Sequence, residues 1–248
     1  MIDHPSPNHD DRGGAAVSIL MIHYTGMQSA EAALARLSDP AAKVSCHYLI
    51  DEDGTAYRLV AEERRAWHAG AGSWRGQENV NARSIGIELV NPGHEWGYRP
   101  FPAAQMATLT ALARDIVQRR GIAAFDVIGH SDSAPSRKTD PGELFDWAGL
   151  AAAGAGFWTP EAAFPDRAAL QPGDRGEAVR RLQADLAAFG YGLAVDGLFG
   201  AETAAVVAAF QRHWRPARVD RIADGATQAR LAQLLGHYRG LAVPARNL

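Results

Sequence analysis

The chain has 248 residues, 47% of them hydrophobic and 21% charged, with a formal net charge of −3 at pH 7. This composition is ordinary for a globular protein with a sizeable core, and it gives no support for a nucleic-acid partner or an anionic membrane surface. The single cysteine, Cys46, excludes an intramolecular disulfide.

The N-terminal part of the chain begins with a predicted strand, a helix and a hairpin. Residues 15–24 form an apolar, β-branched run that predicts a buried strand, and the Ala- and Leu-rich residues 29–37 follow with helical spacing. Two further runs, 46–50 and 56–60, flank the Asp-Glu-Asp-Gly sequence at 51–54. An Asp-Gly pair between such runs predicts a β-hairpin.

Three more elements complete the first predicted domain. Residues 84–90 predict another central strand, and residues 103–120 predict a long helix. A short strand at 126–129 leads into a polar loop at 130–142. Alternating strands and helices are typical of an α/β domain with loops at the strand ends, so we predict an α/β (α+β) domain over residues 1–150.

The composition changes after this domain. Residues 151–169 are rich in Ala, Gly and Pro, which predicts a linker that lets its flanking domains fold separately. Residues 170–240 then predict a small C-terminal three-helix domain, because apolar residues recur on one face of each helix. These faces contain Val179, Leu182 and Leu186; Val206, Val207 and Phe210; and Leu231, Leu234 and Leu235.

Side chains that bind metals or protons occur in two predicted strands and in the loop after a third. His23 closes the first strand, Glu88 lies in the strand at 84–90, and His130 opens the loop that also holds Lys138 and Asp140. Two imidazoles and a carboxylate, with a fourth position open to water, are typical of a catalytic zinc site. Each residue taken alone also has a structural interpretation, so spacing alone leaves the zinc site open. Glu88 is the hardest to explain structurally, because burying an unpaired carboxylate is costly.

Five sequence strings narrow this choice. MIHYTG, SCHYLIDEDG, AWHAG, SIGIELVNPG and GHSD…RKTDPG, in this order, resemble the Amidase_2 family of N-acetylmuramoyl-L-alanine amidases, in particular its AmiD- and AmpD-type bacterial branch. The resemblance implies a central mixed β-sheet flanked by helices. It also implies a single Zn²⁺ held by His23, His130 and Asp140, with Glu88 and Lys138 as the catalytic residues.

One position departs from the phage-lysozyme and peptidoglycan-recognition branches of these enzymes, in which Tyr precedes the His of the second strand. Here Cys46 precedes His47, so we expect no Tyr-assisted mechanism. Cys46 is open to two interpretations. It is either a small buried hydrophobic residue beside the site, which we favour, or a reactive thiol or fourth ligand.

A further group of residues is expected to line the substrate groove. Aromatic faces suit sugars, and amides and guanidinium groups suit the carbonyls and carboxylates of a peptide. The competing interpretation is that the two tryptophans of this group pack against the sheet. His94, His213 and His237 are expected at the surface. The groove residues are Trp67, His68, Trp74, Asn79, Asn81 and Arg83, with His47 as a groove or supporting residue.

The C-terminal region carries a resemblance of its own. LQPGDRGEAVRRLQ at 170–183 and VDGLFG at 195–200 resemble the PG_binding_1 family of peptidoglycan-binding domains, over residues 170–236. The resemblance implies binding to the cell wall. The alternative is an appendage for packing or oligomerisation, because no ionisable cluster in this region suggests chemistry.

The two resemblances together imply hydrolysis of the amide bond between N-acetylmuramic acid, or its 1,6-anhydro form, and L-alanine of the stem peptide, in cell-wall turnover or recycling. The alternatives are a non-catalytic peptidoglycan-recognition protein and a zinc peptidase that cuts within the stem. The expected partner is peptidoglycan or a muropeptide, and the sequence leaves the oligomeric state open.

The location follows from different features. The N-terminus has neither the positive nor the apolar segment of a secretory signal, and no apolar run reaches about 18 residues, so we expect no transmembrane segment and a cytoplasmic location. The wall-binding resemblance favours a periplasmic or wall-associated location if a signal was removed.

Overall fold

The computed structural model describes residues 1–161 and 167–242. The predicted linker at 151–169 therefore lies partly outside the described residues, at 162–166. In the described ranges no helix has both the length and the apolar character needed to cross a membrane. The strands are β1 (Ile2–Asp3), β2 (His9–Asp11), β3 (Ile19–Tyr24), β4 (Tyr48–Ile50), β5 (Ala56–Arg58), β6 (Arg64–Ala66), β7 (Ser84–Leu89) and β8 (Val127–Gly129). The helices are α1 (Ala30–Ser38), α2 (Val80–Arg83), α3 (Gly93–Trp96), α4 (Ala103–Arg120), α5 (His130–Ser133), α6 (Trp147–Ala152), α7 (Glu177–Phe189), α8 (Ala201–Trp214) and α9 (Gly225–Ala242).

The sheet at the centre of the fold is mixed, as the family resemblance implied. Among the described strands, six form one sheet in the order β1-β5-β4-β7-β3-β8, and β2 pairs with β6. β3 is parallel to both β7 and β8, whereas β4 is parallel to β7 and antiparallel to β5. The β4–β5 pair confirms the predicted hairpin, and the central, two-sided burial of β3 and β7 explains their nearly continuous apolar sequences.

The predicted helix ends are confirmed where the sequence carries a capping residue. Ser29 precedes α1, and its side chain accepts a hydrogen bond from the backbone N–H of Ala32. At the end of α4, Gly121 has a φ of 64°, a left-handed conformation that glycine adopts without steric cost, and its N–H bonds to the carbonyl of Val117.

The two faces of the sheet carry different residues. Leu20 and Ile22 of β3 pack with Ile87 of β7 in the core that also includes α4. Because side chains alternate along a strand, His23 and Glu88 project from the opposite face, and the parallel register places them directly beside each other. The face turned away from α4 therefore carries the candidate site.

Two different structures cover this second face. Cys46 and Leu49 pack with α1 on one side of the site. Ile19, Met21 and Ile128 pack with the C-terminal helices on the other side. The candidate site thus lies between α1 and the helical domain.

The helical domain packs against the sheet domain, and the two share a hydrophobic core. Trp74, only 1% exposed, packs edge-to-face against Phe189 and Tyr191 of the helical domain. The first part of the predicted linker is packed as well, because Trp158 stacks on Trp214. The predicted apolar faces of the three helices are buried as expected, but they close on a surface that includes the sheet.

Candidate active site

Three of the predicted ligands converge at one point. His23 lies near the end of β3, His130 is the first residue of α5 directly after β8, and Asp140 lies in the loop beyond it. His23 Nδ1 is 2.9 Å from Asp140 Oδ2 and 3.1 Å from His130 Nδ1, and His130 Nδ1 is 3.1 Å from the same carboxylate oxygen. All three side chains are buried. We call these three residues the metal triad.

The hydrogen bond at Nε2 of His23 determines which of the two ring nitrogens carries the proton. His23 Nε2 is 3.0 Å from His68 Nδ1, and His68 Nε2 is 3.1 Å from the hydroxyl oxygen of Ser84. The Ser84 hydroxyl donates to the carbonyl of Val80 at 2.7 Å, so it accepts from His68. His68 Nδ1 is then an acceptor, and His23 donates its Nε2–H to it. This chain of donors leaves His23 Nδ1 with a free lone pair.

His130 is arranged in the same way. Its Nε2 lies 2.9 Å from the carbonyl oxygen of Ala69, which can only accept, so the proton is on Nε2 and Nδ1 is free. The metal triad therefore brings together two imidazole lone pairs and a carboxylate oxygen with no hydrogen between them. Such a set is unfavourable without a cation and fits a divalent metal ion, with the outer imidazole nitrogens anchored as in known metal sites.

The electrostatics of the metal triad agree with this arrangement. Burial lowers the pKa of His23 to about 4, which keeps the ring neutral and able to bind a metal. His23 is thus a neutral ligand candidate near neutral pH.

Glu88 contributes the unpartnered carboxyl group of the site. It lies beside His23 in the β3–β7 pair, and its Oε2 is sealed from solvent without a hydrogen-bond partner. Burial raises the pKa of Glu88 well above its ordinary value, the nearby Asp140 raises it further and Lys138 opposes them. A half-buried carboxyl with one sealed, unused oxygen and a raised pKa is suited to taking up and releasing a proton.

A cavity of about 460 Å³ opens over the metal triad. Its lining includes Glu88, Lys138, Trp67 and Arg137. This volume is in the range of small-molecule sites, and it places the predicted proton-transfer carboxyl and the predicted cation around the same space as the ligands.

The predicted groove residues divide into three groups. Trp67 and His68 line the cavity, although His68 acts mainly through its contact with His23. Asn81 supports the cavity wall, because its Oδ1 accepts from the backbone N–H groups of His68 and Ala69. The lining of the cavity includes none of the other four predicted residues: Trp74, Asn79, Arg83 and His47.

Trp74 and His47, the two buried residues of that last group, make contacts away from the cavity. Trp74 is in the core shared with the helical domain, so its packing interpretation is the one that the structure supports. His47 is completely buried, and its Nδ1 accepts from the backbone N–H of Gly86 at 3.0 Å. A Cβ atom at Gly86 would lie 2.5 Å from His68 Nδ1, so glycine allows the His68 ring to reach the metal triad.

Sequence reasoning missed two residues near the site. Tyr24 lines the cavity, and its hydroxyl is 2.8 Å from the hydroxyl oxygen of Thr139, next to the ligand Asp140. Arg12 reaches from the N-terminal segment into the fold, where it donates to the carbonyls of Glu62, Ala82 and Ser84. Tyr24 could have been found from its place directly after His23, whereas no local pattern distinguishes Arg12.

Two further expectations are decided by burial. Cys46 is completely buried against α1, burial raises the pKa of its thiol well above the ordinary value, and the metal-binding group found among the described residues does not include it. The buried hydrophobic interpretation is therefore supported. His213, expected at the surface, is only 3% exposed because it lies between the two domains, whereas His94 and His237 are exposed.

Comparisons with known proteins agree with this geometry. Residues 13–143 match the Amidase_2 family, N-acetylmuramoyl-L-alanine amidase, and residues 175–231 match the PG_binding_1 family of peptidoglycan binding domains. The chain is 38% identical to N-acetylmuramoyl-L-alanine amidase AmiD of Escherichia coli over 239 residues, which cover 90% of this chain and 83% of that protein. It is 35% identical to the 1,6-anhydro-N-acetylmuramyl-L-alanine amidase AmpD of the same organism, over 58% of this chain and 86% of that protein.

Solved structures extend the likeness to both domains. E. coli AmiD, in complex with the substrate anhydro-N-acetylmuramic acid-L-Ala-D-γ-Glu-L-Lys, matches with a TM-score of 0.76 at 36% identity, over 91% of this chain and 92% of that one. AmpDh3 from Pseudomonas aeruginosa matches with a TM-score of 0.74 at 32% identity, over 94% of this chain and 95% of that one. The sheet fold and the helical region are thus both shared with these proteins. The chain belongs to the Amidase_2 family of N-acetylmuramoyl-L-alanine amidases, and it carries a peptidoglycan-binding domain of the PG_binding_1 family.

Proposed function

We propose that this chain is a zinc-dependent amidase that cleaves the bond between the lactyl group of N-acetylmuramic acid, or its 1,6-anhydro form, and L-alanine of the stem peptide. The observation that carries the proposal is the metal triad, in which three ligand atoms meet without a proton and lie beside the unpartnered carboxyl of Glu88. The family membership supports this reaction, and the geometry supports the residues that we assign to it.

Zinc is the metal that this donor set favours. Two imidazoles and one carboxylate, buried at the base of an open cavity, are typical of catalytic zinc sites and leave a position for water or substrate. We assign the ligands as His23, His130 and Asp140. Bound zinc supplies a Lewis acid that polarises a carbonyl and lowers the pKa of water.

Glu88 moves the proton in this proposal. Its free Oε2 takes the proton of the attacking water and then delivers it to the nitrogen of the leaving L-alanine, so that the amine departs neutral. Burial raises the pKa of Glu88 and so favours its protonated form, whereas the positive charge of a bound dication would favour the carboxylate.

Lys138 and Trp67 have supporting roles. The Lys138 ammonium lines the same cavity as Glu88 and stabilises the oxyanion that develops on the scissile carbonyl. Trp67 offers an aromatic face at the cavity wall for the sugar or the peptide. The anhydro-muropeptide in the E. coli AmiD complex supports the proposal that this chain also accepts such substrates.

The test is digestion of a purified anhydro-muropeptide and of intact sacculi, with the products identified by mass spectrometry. We expect a free peptide that begins with L-alanine and a sugar that retains its lactyl carboxyl. A sugar that keeps L-alanine would instead indicate a peptidase that cuts within the stem. No product from either substrate, with zinc bound, would indicate a recognition protein.

The metal requirement is tested on the same substrates. Removal of the metal with a chelator should abolish cleavage, and added Zn²⁺ should restore it, whereas Mg²⁺, which prefers oxygen ligands, should not. Full activity after metal removal verified by elemental analysis would exclude the zinc mechanism.

A further inference from the structure

A second buried cluster joins the helical domain to the helix that carries a metal ligand. Asp132 lies two residues after His130, and its side chain is completely buried. Its Oδ1 accepts from the hydroxyl of Tyr191 at 2.6 Å, and its Oδ2 accepts from His213 Nδ1 at 2.7 Å. Both donors belong to the helical domain. We call Asp132, Tyr191 and His213 the Asp132 clamp.

The two donors of the Asp132 clamp are themselves held firmly. The His213 ring lies between Trp147 and Trp214, with ring centroids 3.7 and 3.9 Å away and nearly parallel planes. The Tyr191 ring packs edge-on against Trp74, and burial raises the pKa of its hydroxyl well above the ordinary value, so the hydroxyl remains a donor. Rigid donors fix the position of the carboxylate that they bind.

The position of Asp132 in turn fixes α5. Its Oδ2 also accepts from the backbone N–H of Gly129, the residue directly before His130, at 2.8 Å. The backbone N–H of Ser131 bonds to the carbonyl of Asp140 at 3.0 Å, which ties this helix to the other ligand-bearing loop. α5 has only four residues, so it contributes few hydrogen bonds of its own and depends on these external contacts.

We propose that Tyr191 and His213 are positioning residues for the metal ligand His130, and that the helical domain completes the metal site through the Asp132 carboxylate. This inference rests on the proposed metal triad. It gives the helical domain a role in the chemistry that is separate from binding the wall.

The test uses variants that remove each donor and keep an aromatic ring at its position. Tyr191→Phe and His213→Phe preserve the aromatic packing but leave Asp132 without one hydrogen bond. We expect each variant to bind zinc about tenfold more weakly, at the lower end of the effect of losing a supporting contact around a metal site. The measurement is the zinc dissociation constant of the full chain, by competition with a chelator of known affinity.

Gln183→Ala is the matched control, because Gln183 is also a buried polar residue of the helical domain. Its amide donates to Asp196, Thr203 and the carbonyl of Leu198, and none of these partners belongs to the Asp132 clamp. We expect this variant to unfold at a lower temperature and to bind zinc as the wild type does. If the Phe variants lose thermal stability like the control and keep wild-type zinc affinity, the clamp only holds the domains together and the inference is wrong.

Hydrogen exchange of the metal-free protein separates this inference from the proposed function. The amides of residues 129–134 should exchange faster in Tyr191→Phe and His213→Phe than in the wild type, and remain unchanged in Gln183→Ala. Unchanged exchange in the Phe variants overturns the clamp. A wild-type chain that binds no zinc overturns the proposed metal site instead, and with it the role of the clamp in holding a ligand.

Discussion

The metal triad and the Asp132 clamp contain similar residue types, and each contributes one residue to α5, but they differ in where their imidazole protons lie. In the Asp132 clamp, three N–H or O–H groups donate to one carboxylate at 2.6, 2.7 and 2.8 Å. In the metal triad, the His–Asp distances of 2.9 and 3.1 Å look alike, but both imidazole protons point away to other acceptors.

Because the two clusters have similar His–Asp distances but different proton positions, a short His–Asp contact does not by itself identify a metal site. A neutral imidazole has one donor nitrogen and one acceptor nitrogen. The hydrogen bond of the outer nitrogen therefore determines whether the inner nitrogen carries a proton. His23 and His130 donate outward to His68 and to the carbonyl of Ala69, so their inner nitrogens require a cation. His213 donates inward to Asp132 and requires none.

The largest effect is expected for the Asp-to-Asn substitution in the metal triad, which is compared below with the same substitution in the Asp132 clamp. Asp140→Asn should weaken zinc binding more than about a hundredfold, beyond the range for supporting residues, because it removes the charged ligand. Activity should fall with the metal content, which elemental analysis of the purified variant measures.

Asp132→Asn supplies the contrast in stability. Without metal at pH 8, it should lower the free energy of unfolding by about 3 kcal/mol, because it replaces a carboxylate that accepts three buried hydrogen bonds. Asp140→Asn should not lower it, since the new amide can donate to an imidazole nitrogen that lacked a proton. Urea unfolding measures both, and equal losses would contradict the proposed difference between the clusters.

The next effect concerns Glu88, which belongs to neither cluster. Glu88→Gln preserves the shape of the side chain but cannot accept the proton of water, so kcat should fall at least about a hundredfold while zinc remains bound. Lys138→Ala serves as a companion that should also keep zinc and slow turnover. Loss of zinc from Glu88→Gln would show that Glu88 is a ligand.

A smaller effect is expected at His68, which sets the proton position of His23. His68→Ala removes the acceptor of the His23 Nε2–H and should weaken zinc binding about ten- to a hundredfold. Asn79→Ala, at an exposed residue outside the cavity lining, should leave the dissociation constant unchanged. Wild-type affinity in His68→Ala would mean that the His23 proton is fixed by another contact.

The smallest effect is expected at Glu62, a third buried carboxylate, which like Asp132 accepts several hydrogen bonds. Burial alone raises the pKa of Glu62, but hydrogen bonds from Arg119, Tyr48 and Arg120 outweigh it and lower the pKa to about 2. A carboxyl with a lowered folded-state pKa stabilises the protein above its unfolded pKa of about 4.5, and this stability is lost as pH falls toward 2.

Glu62→Gln should therefore remove about 1 to 2 kcal/mol at pH 7, after allowance for solvent around the arginines, and nothing near pH 2. Urea unfolding of both proteins across this pH range gives the difference. A constant difference at every pH would mean that the ion pairs of Glu62 contribute nothing and that only its neutral contacts matter.

Local sequence patterns were sufficient for most of the sheet domain. The apolar runs of β3 and β7 are a property of consecutive residues, so both strands could be predicted from the sequence. The bounds of β7 were nearly correct, whereas β3 begins at Ile19 and not at residue 15. The capping glycine of α4 and the Asp-Gly hairpin are equally local. The proposed ligands were assigned from motif strings in a fixed order, and the family match confirms the family resemblance of those strings.

The family and the order of most strands and helices could thus be predicted from the sequence alone. Only the tertiary structure decided which second contact each histidine makes, and therefore that His68 supports His23 and that His213 is buried against Asp132. It also decided that Trp74 lies in a core shared with the helical domain. The physical reason is that an imidazole proton and a buried indole are placed by partners far away in the chain, and no pattern of neighbouring residues specifies which distant surfaces will meet.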